Sequence, residues 1–535
     1  MALSLRQLKN HNITHSFARI GRCIRELLAF LYRFFAFGVT PFWIQLCYFV
    51  SLALLGSLAM MLLKPDNPAF TPRYVDMLFM SVSALTVSGL GAVEMENLSS
   101  SQIAVLALLM FLGGNVLVSL LGLLFRRSQC NNRSEIVSNR VDAIGIELDS
   151  MNYPANTLDT IELGQDVVGS SETSITDGKY LMLSCIRYLG FVVLGFVVVF
   201  HVVGCLAIFL YIILVSSARN VLKRKGRGIN FFLFSIFTTI SSFANGGLIP
   251  TNENMLIFNN NPGLYLIIIP QILAGNLLFP LCLRLVIWAL RRFTKAEEFN
   301  YMLKNPSAIQ FGDLRPKFQT AFLSLTCIGF IAAMVALFCS MDWTSAVFHG
   351  LNSYEKIVGA LFMAVNSRHA GENSIDISLA SPSVIVLFIL MMCLPPSVSF
   401  LPFQEDESSS AGDKKEDKKR WSPVENLLLS QISSIVVFII IICVTESKNL
   451  TRDPLNFSTL NVIFEVTSGY GNVGLSMGYS CSRFLRLHPD ADCQDGSYSF
   501  SGAWSDEGKL ILAIVMLCGR LKNFTKENGK AWKLL

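Results

Sequence analysis

The chain has 535 residues, 52% of them hydrophobic and only 15% charged, with a formal net charge of +5. Soluble domains carry about a quarter charged residues, so this composition excludes a soluble enzyme and places the chain in lipid. The positive excess lies in loops and tails, where membrane topology puts it, and forms no nucleic-acid patch.

Residues 1–38 hold Arg6, Lys9, Arg19, Arg22, Arg25 and Arg33 against the lone acid Glu26. That bias predicts a cytoplasmic N-terminus, and no cleavable leader is read there. A first unit, 39–126, carries predicted spans at about 40–63 and 102–125, each long enough for ~30 Å of hydrocarbon. A polar cytoplasmic loop without clear periodicity follows at 127–179. The second unit, 180–292, has spans at about 181–215 and 262–290. Its basic link (Arg219, Lys223, Arg224, Lys225, Arg227) falls outside, against the positive-inside tendency. A cytoplasmic loop at 293–317 leads to the third unit, 318–402, with spans at about 320–340 and 383–401. The charged linker 403–422 has no means of burying itself and is read as cytoplasmic. The fourth unit, 423–523, spans at about 424–444 and 508–520, and a basic cytoplasmic tail occupies 524–535. Eight crossings put both termini in the cytoplasm.

Between its two spans each unit repeats one short hairpin. The copies are residues 79–89 (FMSVSALTVSG), 237–247 (FTTISSFANGG), 361–371 (LFMAVNSRHAG) and 464–474 (FEVTSGYGNVG). Each is a helical run that starts at Phe or Leu and reaches a glycine ten positions later, too short and too polar to cross lipid. Leucine follows the glycine in three copies; Glu372 follows it in the third. The expected fold is an all-α polytopic membrane protein of four helix–pore-hairpin–helix units, eight transmembrane helices arranged pseudo-four-fold around one pore. Four re-entrant tips from one chain build a ring of backbone carbonyls, which replaces the hydration shell of a monovalent cation. Gly89, Gly247, Gly371 and Gly474 are the tip residues, because the ring needs positive φ and no side chain on the axis. The backbone of Val87, Ser88, Asn245, Gly246, His369, Ala370, Asn472 and Val473 flanks them. Residues 467–471, TSGYG, look like a potassium-channel filter, but the ten-residue spacing selects Gly474 over Gly471.

Glu94, Glu96, Glu253, Glu372 and Asp376 follow the tips and are expected in an outer vestibule, where acids concentrate cations. Arg368 is expected behind the ring, braced by a carboxylate such as Glu465. Cys481 and Cys493 are the cysteines predicted outside, twelve residues apart; an oxidising exterior favours their pairing over two free thiols. Asn97, Asn449 and Asn456 head glycosylation sequons on the same side. No catalytic constellation, cofactor motif or ATP-binding segment is read. A secondary transporter of an organic solute would need broken helices and a midplane site between inverted repeats, whereas these repeats run parallel.

The stretches TVSGLGAVEMENLS (86–99), FANGGLIPTNENM (243–255), AVNSRHAGENSIDIS (364–378) and EVTSGYGNVGLSMGYSCS (465–482) resemble the Trk/Ktr/HKT superfamily of cation transporters, and within it the plant high-affinity potassium transporters. The resemblance covers about residues 38–525. It implies that the four tip glycines are the filter and that the transported ions are Na+ and K+. Glycine at the first tip, where many members have serine, is similar to the subgroup that handles both ions; serine there goes with sodium selectivity. The resemblance further implies a plant plasma-membrane protein in contact with lipid, and a homodimer with one pore per protomer. It also favours a role for Arg520 beneath the filter as a pore constriction, with a snorkelling cytoplasmic anchor as the alternative.

Overall fold

The computed structural model describes residues 41–68, 70–127, 162–225, 230–309, 311–394, 431–489, 493, 496 and 498–526. By contacts, 52–520 form one body, and the described residues of 1–51 and 521–535 belong to a second. All four hairpins lie in the larger body. Every regular element among the described residues is a helix.

The first unit consists of α1 (Pro41–Leu62), the pore helix α2 (Tyr74–Leu85) and a second span that is broken. Its halves, α3 (Ser100–Gly113) and α4 (Asn115–Arg127), meet at 56°. In the second unit α5 (Glu162–Leu214) precedes the pore helix α6 (Phe231–Ala244), and the return span is again two pieces, α7 (Pro262–Gly275) and α8 (Phe279–Thr294), bent by 83°. The third unit has α9 (Lys317–Asp342), the pore helix α10 (Ser353–His369) and α11 (Pro382–Cys393). The fourth has α12 (Gln431–Thr445), the pore helix α13 (Thr459–Gly471) and α14 (Asp506–Lys526).

Three boundaries depart from the sequence reading. The pore helices begin five to eight residues before the Phe or Leu that marks each repeat. Polar caps set three of those starts: Asn230 accepts from the Phe232 and Leu233 amides, Asn352 forms a capping box with Glu355, and Ser458 accepts from the Asn461 amide. Next, α5 reaches back to Glu162, into the stretch read as a polar loop. Once an apolar span has nucleated a helix, each added residue completes one more backbone bond, so polar residues can extend it. Finally, the return spans of the first two units are bent rather than straight. The N-terminus, the first part of the loop after the first unit, the charged linker, residues 395–401 and 424–430 of two predicted spans and the end of the tail lie outside the described residues.

Three return spans carry a glycine against the end of their own pore helix. A Cβ on Gly113 would overlap Leu85 O; one on Gly275, Phe243 O; one on Gly519, Tyr470 O. Each of those carbonyls belongs to the residue four before the tip of the same unit. The return span therefore presses its backbone directly onto the end of its own pore helix, and in the first two units the helix ends at that glycine.

Neighbouring units are joined in cyclic order. The return span α3 packs on pore helix α6 of the next unit, α7 on α10, and α11 on α13. The Tyr265 and Phe362 rings, from α7 and α10, stack at 4.5 Å. The cycle closes where Lys509 of α14 donates to Asp76 of α2 at 2.7 Å, with Lys509 only 1% exposed. Apolar side chains such as Val198, Val202 and Leu206 of α5 face outward, the arrangement lipid requires.

Candidate functional site

The four tips meet. Gly89, Gly247, Gly371 and Gly474 all adopt positive φ, at 71°, 70°, 68° and 104°, and each faces the carbonyl that precedes the next tip in chain order. A Cβ on Gly89 would lie 3.0 Å from Gly246 O, and one on Gly247 would lie 2.7 Å from Ala370 O. One on Gly371 would overlap Val473 O, and one on Gly474 would come within 2.8 Å of Ser88 O. The four contacts run around a closed ring; a Cβ would overlap backbone at Gly371 and would crowd it, at 2.7–2.9 Å, at the other three tips, with the most room at Gly89. Gly471 is not part of it: a Cβ there would meet Met392 O and the Val473 side chain.

Three of the tips are built alike. Two residues before the glycine, Val87, Asn245 and Asn472 take the left-handed conformation, with φ of 51°, 63° and 53°. The residue between then closes the turn five positions back, as Ser88 N–H to Ser83 O, Gly246 N–H to Ser241 O and Val473 N–H to Ser468 O. Both asparagines also reach the return span of their own unit, Asn245 to Ile272 O and Asn472 to Met516 O. Asn472 donates to Ser88 Oγ as well, at 2.7 Å, which ties the fourth tip to the first.

The third tip departs from the pattern. Helix α10 continues through His369, Ala370 has φ −105°, and the five-back closure moves along by one residue, to Gly371 N–H on Asn366 O. Glu372 does not reach the vestibule where the sequence reading put it. It is 0% exposed, its amide donates to Asn366 Oδ1, and its Oε1 accepts from Ser242 Oγ of the neighbouring pore helix at 2.7 Å. Burial follows from the tip geometry: the residue after each glycine turns inward, as Leu90, Leu248 and Leu475 also do.

Other acids are tied rather than free. Lys225, from the basic link of the second unit, pairs with Glu96 at 3.1 Å and with Glu253. Partial burial disfavours its charge, but the bonds to Glu253 and Glu96 outweigh this and hold the lysine above its ordinary pKa. Because both acids follow tips, the link lies on the same side of the ring as the tips' exits. Glu94 accepts from Asn97, and Asp376 caps the turn at Ser378.

The expected Arg368–Glu465 brace does not form. Glu465 accepts from Ser476 Oγ and the Ser501 amide, while the buried Arg368 guanidinium lies 5.1 Å over the Phe330 ring of α9. Arg520 is 2% exposed and donates to Gly113 O, the carbonyl at the break of the first unit's return span. Cys481 and Cys493 are joined as a disulfide with Cα atoms 5.7 Å apart. Of the sequons, Asn97 and Asn449 are half-buried. Asn456 is 1% exposed and its amide donates to Asp453 and Ser480, so the folded chain has no room for a glycan there.

The Lys509–Asp76 and Glu372–Ser242 contacts escaped the sequence reading. A signal existed for the first: a lysine inside an apolar run, an expensive residue that calls for a partner. For the second it was glutamate at the position where three units carry leucine.

A family model described as TrkH, cation transport protein, matches residues 151–399 and 420–526. Among curated relatives from Oryza sativa subsp. japonica, one described as probable cation transporter HKT2;3 is 44% identical over 512 residues, 95% of this chain and 97% of its own. Another, described as cation transporter HKT2;4, is 45% identical over the same lengths. The Arabidopsis thaliana protein described as sodium transporter HKT1 is 40% identical over 480 residues, 88% of this chain and 91% of its own.

Proposed function

The chain belongs to the TrkH family of cation transport proteins, and on that premise we propose that its four tips form the filter through which it moves both Na+ and K+. The observation that carries this reading is the closed cycle in which each tip glycine abuts the carbonyl preceding the next. Such a ring presents backbone oxygens from four sides to an ion stripped of water. Glycine at all four tips leaves the ring without a narrowing side chain, which suits the larger potassium ion as well as sodium. Gly89, Gly247, Gly371 and Gly474 supply the ring, and the carbonyls of Ser88, Gly246, Ala370 and Val473 face it from the level before. Arg520, which meets the first unit's return span at Gly113, is the candidate constriction. The setting is the plasma membrane, with both termini cytoplasmic, no cofactor beyond the transported ions, and a homodimer with one pore per protomer.

The test is voltage clamp of the chain expressed in oocytes, stepping external potassium at fixed sodium. The reversal potential is expected to follow both ions, and Gly89→Ser is expected to follow sodium alone. A parent chain indifferent to potassium would falsify the dual-ion reading.

A further inference from the structure

The contact made by the residue after each tip has a repeating geometry. In the first unit Leu90 lies over Gly469 of the fourth unit's pore helix, where a Cβ would come 3.6 Å from Leu90 Cδ1. Gly469 stands five residues before its tip. In the third unit the equivalent side chain, Glu372, meets Ser242, which stands five residues before the tip of the second unit. An apolar contact in one quadrant is thus a hydrogen bond between two buried polar groups in another.

The polar version carries a penalty that leucine avoids. Glu372 is fully buried, and its Oε2 has no hydrogen-bond partner among the described residues. A half-satisfied buried carboxyl is unfavourable by itself. It coincides with the one quadrant that lacks a left-handed residue two before its glycine. There the turn closes one position later than in the other three, yet Gly371 still reaches the ring with φ 68° and abuts Val473 O. Glu372 is held at both ends, by its amide to Asn366 of its own pore helix and by its carboxylate to Ser242 of the neighbour.

We propose that Glu372 is a positioning residue for ion discrimination: its bond to Ser242 fixes the third tip at the height the other three reach by their left-handed turns. Leucine at 372 would fill the space but would not fix direction. The third tip would then drift along the axis, and the ring would lose the match between its opening and one ion size.

The inference rests on the ring being the ion path. It is tested by reversal potentials under mixed sodium and potassium for the parent, Glu372→Leu, Ser242→Ala, their combination and Glu372→Gln, with surface protein measured by biotinylation. Glu372→Leu and Ser242→Ala are each expected to change the Na+/K+ permeability ratio by on the order of tenfold, the upper end of the scale of one lost hydrogen bond. The double variant is expected to go no further than Glu372→Leu, because both remove the same bond. Glu372→Gln keeps an acceptor for Ser242 and is expected to stay within about twofold of the parent, on the same bond scale. If Glu372→Leu fails to reach the surface, Ser242→Ala and Glu372→Gln carry the test. Additive single effects, a parent-like Ser242→Ala, or a Glu372→Gln ratio as far from the parent as that of Ser242→Ala would overturn the role. A parent that responds to neither ion would instead defeat the filter reading itself.

Discussion

Val87 holds a left-handed backbone conformation at φ 51°, a strained choice for a β-branched residue. The second and fourth units place asparagine at this position, where the conformation is better tolerated and the amide bonds a carbonyl of the return span. The matching carbonyl in the first unit is that of Met110. Val87→Asn is therefore expected to raise stability by about 1 kcal/mol, from relief of strain and one added bond, read as a higher Tm in detergent. Gly474→Ala goes the other way. Its Cβ would lie 2.8 Å from Gly89 Cα and Ser88 O at φ 104°, so the variant is expected to reach the surface at reduced level and conduct neither ion. The four glycines were legible in sequence because a helix of fixed length and a tip that excludes side chains leave a fixed spacing. Glu372 was misplaced because its number says only that it follows a tip, and the inward turn there is a backbone property.

At the scale of elements, the Lys509–Asp76 contact joins the last span to the first pore helix across 433 residues of sequence. Asp76 also accepts from Arg73, which pairs in turn with Asp506. Removing the lysine charge leaves a buried carboxylate without its best partner, a change that costs roughly 3–5 kcal/mol. Lys509→Met is accordingly expected to lower surface expression sharply, and Lys509→Met with Asp76→Asn to recover part of it. The return spans show where sequence reading falls short. Residues 100–127 and 262–294 form almost unbroken apolar runs, so composition counts each as one crossing. The breaks fall where Gly113 and Gly275 meet the end of the pore helix; Gly519 makes the same contact within the continuous α14, and hydropathy holds no information about which glycine ends its helix. The caps of the pore helices were legible in principle, since Asn352 with Glu355 is a capping-box spacing.

For the whole molecule, the unresolved point of the sequence was the basic link of the second unit, which the positive-inside tendency would draw to the cytoplasm. Its Lys225 is held by Glu96 and Glu253, so opposite charges beyond two tips offset the unfavourable placement. Lys223, exposed in the same link, provides a topology probe. Lys223→Cys is expected to react with a membrane-impermeant maleimide added to intact cells, above the background of the native cysteines. Labelling seen only after permeabilisation would invert the orientation. The cyclic packing itself was legible only as a count of four units. Which unit touches which depends on side chains far apart in sequence, and one sequence without its contacts does not reveal them.

Three of the four joints in the ring link units that are consecutive in the chain, and each can form as soon as the later unit has been synthesised. The fourth cannot. Asp76 has no lysine to receive until residue 509 has left the ribosome, which at 5–20 residues per second is a delay of roughly 20–90 s. During biogenesis the first pore helix must therefore wait in the membrane as an open half of an unfinished joint, with its acid held by Arg73 alone. Quality control that recognises an unfinished helix joint in lipid would find its target there, and a chain arrested anywhere before α14 would display it.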